Sequence, residues 1–302
     1  MTASPTTSEA SRITLTGDGL TAEVDTHGAQ LMRLDRQGEP LLWPGDPAGW
    51  ADRAPLLFPV IGLSHNGEIR VDGRAYPMPQ HGFARHRPFV TTAVSQKACT
   101  LTLASSPETQ VHYPFPFRLE VTYSLAESGL RIAATIHNSG RELLPASFGF
   151  HPGFRWPLEP GLPKTAYRIT LEDDERIATT HPVQGRIGPD REEIALPGGV
   201  LPLHEGLFVP SGLFLLTPKS RRIRYDAEGG GLALVIEHEN CRDVMLWMRP
   251  GFDFLCIEPW HGMPDPVDFT GEFRDKPGLA HIPPGESLTV AITIRVEGQS
   301  HT

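Results

Sequence analysis

Two stretches of unbroken alternation constrain this chain more than any other feature. Leu119, Val121, Tyr123 and Leu125 alternate with Glu120, Thr122 and Ser124, and Leu130, Ile132, Ala134 and Ile136 alternate with Arg131, Ala133, Thr135 and His137. A period of two is that of a strand with one buried face. The connection Ala126-Glu127-Ser128-Gly129 has hairpin length, so the two runs predict an antiparallel hairpin. Near the end, Leu288, Val290, Ile292, Ile294 and Val296 repeat the pattern after Pro283-Pro284-Gly285.

Shorter runs fit the same class. Residues 13–16, 20–24 and 29–34 are separated by Gly17-Asp18-Gly19 and His27-Gly28 and predict a meander, and residues 167–171, 213–216, 232–237 and 244–248 predict further strands. Arg53-Ala54-Pro55-Leu56-Leu57-Phe58-Pro59-Val60-Ile61-Gly62 carries two prolines, which suits an edge strand or a lining loop better than a central strand. The acidic group Glu172-Asp173-Asp174-Glu175 reads as a solvated turn. Thirty Gly and thirty Pro are scattered through the 302 residues, as many short strands with many turns require. No amphipathic helical run exceeds about two turns. The expectation is an all-β protein, a large two-sheet antiparallel β-sandwich, formed as a single domain over 12–298 behind a disordered tail at 1–11.

A formal charge of −9 argues against a nucleic-acid partner or an anionic membrane surface. No apolar run approaches the roughly 18 residues of a membrane span. The first dozen residues lack the apolar core of a signal peptide, and three cysteines without paired spacing signal neither a disulfide framework nor a zinc site. Cytoplasmic location follows as the expectation, with the chain a monomer or homodimer.

The residues that carry chemistry fall in three segments. Ser147-Phe148-Gly149-Phe150-His151-Pro152-Gly153-Phe154 sets one imidazole among aromatics on a bent backbone. Gln80-His81-Gly82-Phe83-Ala84-Arg85 offers a second imidazole and a guanidinium, and Cys256-Ile257-Glu258-Pro259-Trp260-His261-Gly262 ends an apolar run in a carboxylate. Taken singly, His151 suits a core histidine as well as a proton donor, and Glu258 suits an ion pair as well as a base. The nucleotide loops, the Gly-x-Ser-x-Gly elbow and the His-Glu-x-x-His metal motif are missing from the sequence, so no metal and no nucleotide cofactor is signalled. What remains is acid–base work. Glu258 is expected at a rim, partly desolvated and therefore a stronger base. Trp43, Trp50, Trp156, Trp247 and Trp260 are candidate platforms for the apolar face of a sugar.

These segments, with Tyr113-Pro114-Phe115, Asn138 and Lys276-Pro277-Gly278, resemble the aldose 1-epimerase (galactose mutarotase-like) family, in the branch with His-Gly-Phe-Ala-Arg and Glu-Pro-Trp signatures. The resemblance implies a β-supersandwich with an open groove for a free aldohexose. It implies a cofactor-independent interconversion of α and β anomers, with Glu258 the base and His151 the acid. His81 would stabilise developing charge, and Arg53, Arg85, Trp260 and Phe150 would contact the sugar. One departure stands out: relatives carry an aspartate in the segment aligning with 207–213, where Ser211 is the nearest polar group here and His204-Glu205 an alternative. Hexose-6-phosphate 1-epimerase is the neighbouring reading, with Arg85, His86 and Arg87 as a source of cations. A non-catalytic carbohydrate-binding or sensing protein on the same fold is the other. A lyase or phosphorylase fragment would call for a helical domain that the sequence lacks. The Glu/His pair predicts a bell-shaped rate profile with a carboxylate limb and an imidazole limb.

Overall fold

The computed structural model describes residues 11–126 and 129–298. Antiparallel sheets dominate it, and the helical part is limited to one short α-helix, Pro107–Gln110, and brief 3-10 turns among the described residues. Ser106 caps that helix through a reciprocal pair with Thr109.

The predicted hairpin forms from Phe117–Ala126 and Gly129–Asn138, in register from Phe117 opposite Asn138 to Ala126 opposite Gly129. Glu127 and Ser128 lie outside the described residues, as do residues 1–10 of the predicted tail. The alternating residues face inward as expected, with Leu119, Val121 and Tyr123 fully buried. The hairpin sits in a nine-stranded sheet, flanked by Ser287–Gly298 and then Leu232–Glu239 on one side and by Ala98–Ala104 and Val90–Val94 on the other.

The second large sheet holds eight strands. Its centre pairs Asp243–Trp247 with Phe254–His261, and Leu56–Leu57 closes one end as a two-residue edge strand. The prolines on either side of that pair explain its brevity: they cannot donate to a ladder. One apolar cluster joins the inward residues of both sheets, among them Val121, Ile136 and Leu234 from the first and Leu215, Leu246 and Leu255 from the second. The N-terminal meander, Arg12–Gly17, Leu20–Asp25 and Gln30–Arg36, adds Leu15, Ala22 and Val24 to the same cluster. Tyr123 ties it down by donating its buried hydroxyl to the Ala29 carbonyl at 2.6 Å.

One sequence reading is corrected. Asp174 is buried, its carboxylate accepting the backbone N–H groups of Lys219 and Ser220 at 3.0 and 2.9 Å. The acidic group is therefore a loop clasp in part and not only a solvated turn, because two backbone donors without ladder partners need a buried acceptor.

Candidate active site

The strand Phe254–His261 positions the chemistry. On one edge it meets Phe148–Phe150 at its far end, with Gly149 opposite Trp260, and Gly153–Arg155 at its near end, with Gly153 opposite Cys256. Counting inward from both pairs sets His151 across from Glu258. The ladder is interrupted at this step because Pro152 and Pro259 have no N–H to give. Ile257 instead donates to the Pro152 carbonyl at 3.2 Å. Opposed cross-strand residues have Cβ atoms about 5 Å apart, and the two side chains meet: His151 Nε2 stands 3.3 Å from Glu258 Oε2. The two atoms lack hydrogen-bond alignment, and both His151 Nδ1 and Glu258 Oε2 are without partners among the described residues. Both residues line the same pocket.

Glu258 is 1% exposed and His151 7%. The carboxylate is thus deeper than the rim position expected from sequence. Burial pushes the Glu258 carboxyl well above its ordinary range, opposed by the Trp260 indole and the Arg85 charge. Burial, then the neighbouring His81 and Arg85, holds the His151 imidazole well below its ordinary value. Both shifts favour the neutral form of each group, a setting that suits one proton shared between two sites better than a standing ion pair.

Trp50 stacks on His151 with centroids 4.9 Å apart and planes at 27°, and Trp247 meets the same ring edge-on at 5.8 Å. Trp50 is itself clamped against Phe254 and Trp247. It fits there only because residue 153 is glycine; a Cβ would come within 2.7 Å of the indole.

His81 approaches from a third direction, its ring 5.6 Å from that of His151. It occupies a left-handed turn at φ 64°, and Gly82 follows at φ 76°. Any Cβ on Gly82 would lie 2.0 Å from the Phe58 carbonyl, so this turn is built for glycine. The Gly62 N–H donates to His81 Nδ1 at 3.1 Å. With Nδ1 accepting, the neutral ring carries its proton on Nε2. Burial, then the Arg85 charge, takes the His81 pKa down to about 3, so the ring is a neutral donor at working pH.

These side chains line a pocket of about 440 Å³ with Gln80, Arg85, Met245 and Trp260. Pro182, Gly185, Ser211 and Pro264 also line it. The Arg85 guanidinium is paired with Asp52. Ser211 sits where the sequence comparison left a polar candidate, its hydroxyl donated to the Pro182 carbonyl. Glu205 is absent from this lining and is bound to Lys164 at 2.8 Å.

Two expected sugar contacts fall elsewhere. Phe150 is 1% exposed and packs against Phe148 at 5.1 Å, so it is core. A strand side chain alternates faces, and the one next to His151 points away from the pocket. Arg53 lines a separate groove, while its backbone serves this site by accepting the Gly153 N–H at 2.8 Å. Of the five tryptophans, Trp50, Trp247 and Trp260 line the pocket. Trp43 and Trp156 are buried outside it.

His151, Cys256 and Glu258 bring ligand-type atoms within 4.8 Å of one another, a grouping able to hold a metal ion. Burial pushes the Cys256 thiol well up, which disfavours the thiolate that metal binding needs.

The fold is a two-sheet supersandwich, and it holds a buried carboxylate and an imidazole together in an aromatic pocket. The chain matches the aldose 1-epimerase family model over residues 11–278 and belongs to that family. Among curated proteins it is 27% identical over 283 residues to protein LacX of Lactococcus lactis, plasmid form, covering 90% of this chain and 95% of LacX. Among solved structures it is similar to a galactose mutarotase related enzyme from Lactobacillus acidophilus, at TM-score 0.90 and 24% identity over 97% and 98% of the two chains. A galactose mutarotase-like protein from Lactobacillus casei follows at 0.88 and 26%, over 95% and 100%. No helix among the described residues is long and apolar enough to cross a membrane.

Proposed function

We propose that this chain is an aldose 1-epimerase that interconverts the α and β anomers of an unphosphorylated hexose. The observation that carries this is the cross-strand meeting of His151 and Glu258 at 3.3 Å within the aromatic pocket. In the productive form Glu258 is the carboxylate and His151 the imidazolium. Glu258 takes the proton from the C1 hydroxyl while His151 gives its proton to the ring oxygen, and the C1–O5 bond breaks. The aldehyde then faces a protonated Glu258 and a neutral His151. Rotation about C1–C2 presents the other carbonyl face, and both transfers reverse. The pair holds one proton at every stage, as its buried setting favours. His81 donates from Nε2 to an oxygen of the sugar as charge develops, and Trp50, Trp247 and Trp260 offer apolar surface to its C–H faces.

A neutral substrate suits the charges present. Arg85 is the cation of the lining, and Asp52 already answers it. A sugar phosphate would have no free guanidinium or ammonium in this pocket.

Polarimetry of freshly dissolved α-glucose and α-galactose tests the reading. Exchange is expected to fall about 10²- to 10⁴-fold in Glu258→Gln, while sugar binding followed by tryptophan fluorescence persists. Exchange at the wild-type rate in that variant would remove Glu258 from the mechanism.

A further inference from the structure

A second groove, of about 460 Å³, shares no lining residue with the catalytic pocket. It gathers four guanidinium groups, Arg12, Arg33, Arg53 and Arg155, against two carboxylates, Glu23 and Asp35. Four positive charges less two negative ones leave +2, in a chain whose formal charge is −9. The carboxylates are also taken. Arg33 holds Asp35 at 2.6 Å and Glu23 at 3.1 Å, and Arg12 shares Glu23 at 3.6 Å.

Arg53 and Arg155 are left over: neither has a carboxylate partner among the described residues, and the one polar contact of the Arg53 side chain is a 4.0 Å approach to the Met32 sulfur. Arg53 is half-buried, and burial followed by the Arg12 charge depresses its pKa. The Arg12 charge acts on this partly desolvated guanidinium and Asp52 offsets it in part, so an anion entering the groove would relieve the remaining repulsion. A pair of unengaged guanidiniums favours an oxyanion that accepts planar, two-pronged donation. Pro40, Leu42 and Trp43 add an apolar floor.

We infer that this groove binds a small organic phosphate, its dianion held by Arg53 and Arg155 with Arg12 at the rim and its organic part against Leu42 and Trp43. Nothing in the site depends on the reaction proposed for Glu258.

The test is calorimetric titration of the full chain with inorganic phosphate and, separately, with a hexose 6-phosphate, in low-salt buffer. Saturable binding at one site is expected. Arg53→Ala and Arg155→Ala should each weaken it about tenfold or more, and Glu258→Gln should leave it unchanged. Arg53 keeps its backbone bonds to Gln30 and Gly153 in the alanine variant, so the fold is retained; Arg53→Lys, which keeps the charge and loses the fork, should give an intermediate affinity. Tighter binding of the ester than of the free anion is expected; equal binding would overturn the contact of an organic part with Leu42 and Trp43. Absence of saturable binding up to about 10 mM, well into the weak millimolar range, would overturn the site as a whole. So would binding that survives both arginine variants, or binding lost with Glu258→Gln, which would belong to the catalytic pocket.

Discussion

His151 and Glu258 have opposite tendencies with one cause. Loss of water disfavours the imidazolium and the carboxylate alike, so the pair resists both a second proton and the loss of its last one. The limbs of the rate profile therefore belong to the pair and lie further apart than the reference values of about 4.3 and 6.5 for the separate groups. A broad plateau across neutrality is expected in polarimetric rates; a narrow optimum between those two values would contradict the shared proton. Trp50 helps exclude the water. Trp50→Leu removes the stacked face, so His151 becomes better hydrated, the limbs move inward and kcat falls about 10- to 100-fold from misplacement. A variant that lost activity with an unchanged profile would show Trp50 to be packing alone. The pair itself was legible in the sequence, as an imidazole and a carboxylate each beside a proline and aromatics. Trp50 is one of five candidate tryptophan platforms in the sequence, but its loop of Pro, Gly and Asp carries no periodicity, and only the third dimension stacks it on His151. Phe150 and Arg53 misled for the converse reason. Both neighbour functional segments in sequence, and strand alternation sends one to the core while the groove geometry takes the other.

Among the elements, the turn at His81-Gly82 shows how backbone conformation fixes a functional group. Gly82 and Gly73 both stand at φ 76°, but a Cβ at Gly73 meets nothing within 4 Å, whereas one at Gly82 would collide with the Phe58 carbonyl. Gly73→Ala should cost only the left-handed strain of about 1–2 kcal/mol. Gly82→Ala should exceed it by at least about 1 kcal/mol as the turn moves away from Phe58, and should also lower kcat by displacing His81. Denaturant unfolding of the two variants checks the difference, and equal costs would mean the turn yields freely. The strands with strict alternation were legible to within two residues at each end. The short strands were harder: Leu56–Leu57 and Gly153–Arg155 exist because a neighbouring strand has edge groups to satisfy, which no local pattern records.

On the scale of the whole molecule, buried histidines set the response to acid. His238 is 3% exposed, neither ring nitrogen has a well-formed hydrogen bond among the described residues, and burial, then Arg221, lowers its pKa to about 4. A depressed value means the folded state prefers the neutral ring. The associated stability is complete above the unfolded value of about 6.5 and is lost as pH falls from there to about 4, amounting to roughly 3 kcal/mol. His81, with a pKa of about 3, adds in the same direction. His238→Leu should flatten the thermal midpoint between pH 6.5 and 4, since it replaces an unsatisfied polar ring with an apolar group; an unchanged slope would place the acid sensitivity elsewhere. The two-sheet architecture was the most legible feature of all, because one buried face per strand leaves few other ways to cover so many alternating runs.

His151 and Glu258 project from neighbouring backbones across a gap in the ladder, held on both sides by the Gly149–Trp260 and Gly153–Cys256 pairings, so the scaffold sets their separation. Of the other lining residues, Gly185, Ser211 and Pro264 stand in turns and loops, and Pro182 in the two-residue strand Pro182–Val183. Under the proposed reaction, exchanging those segments is expected to change which hydroxyls are recognised while His151 and Glu258 stay in place, so selection for a new sugar would start there.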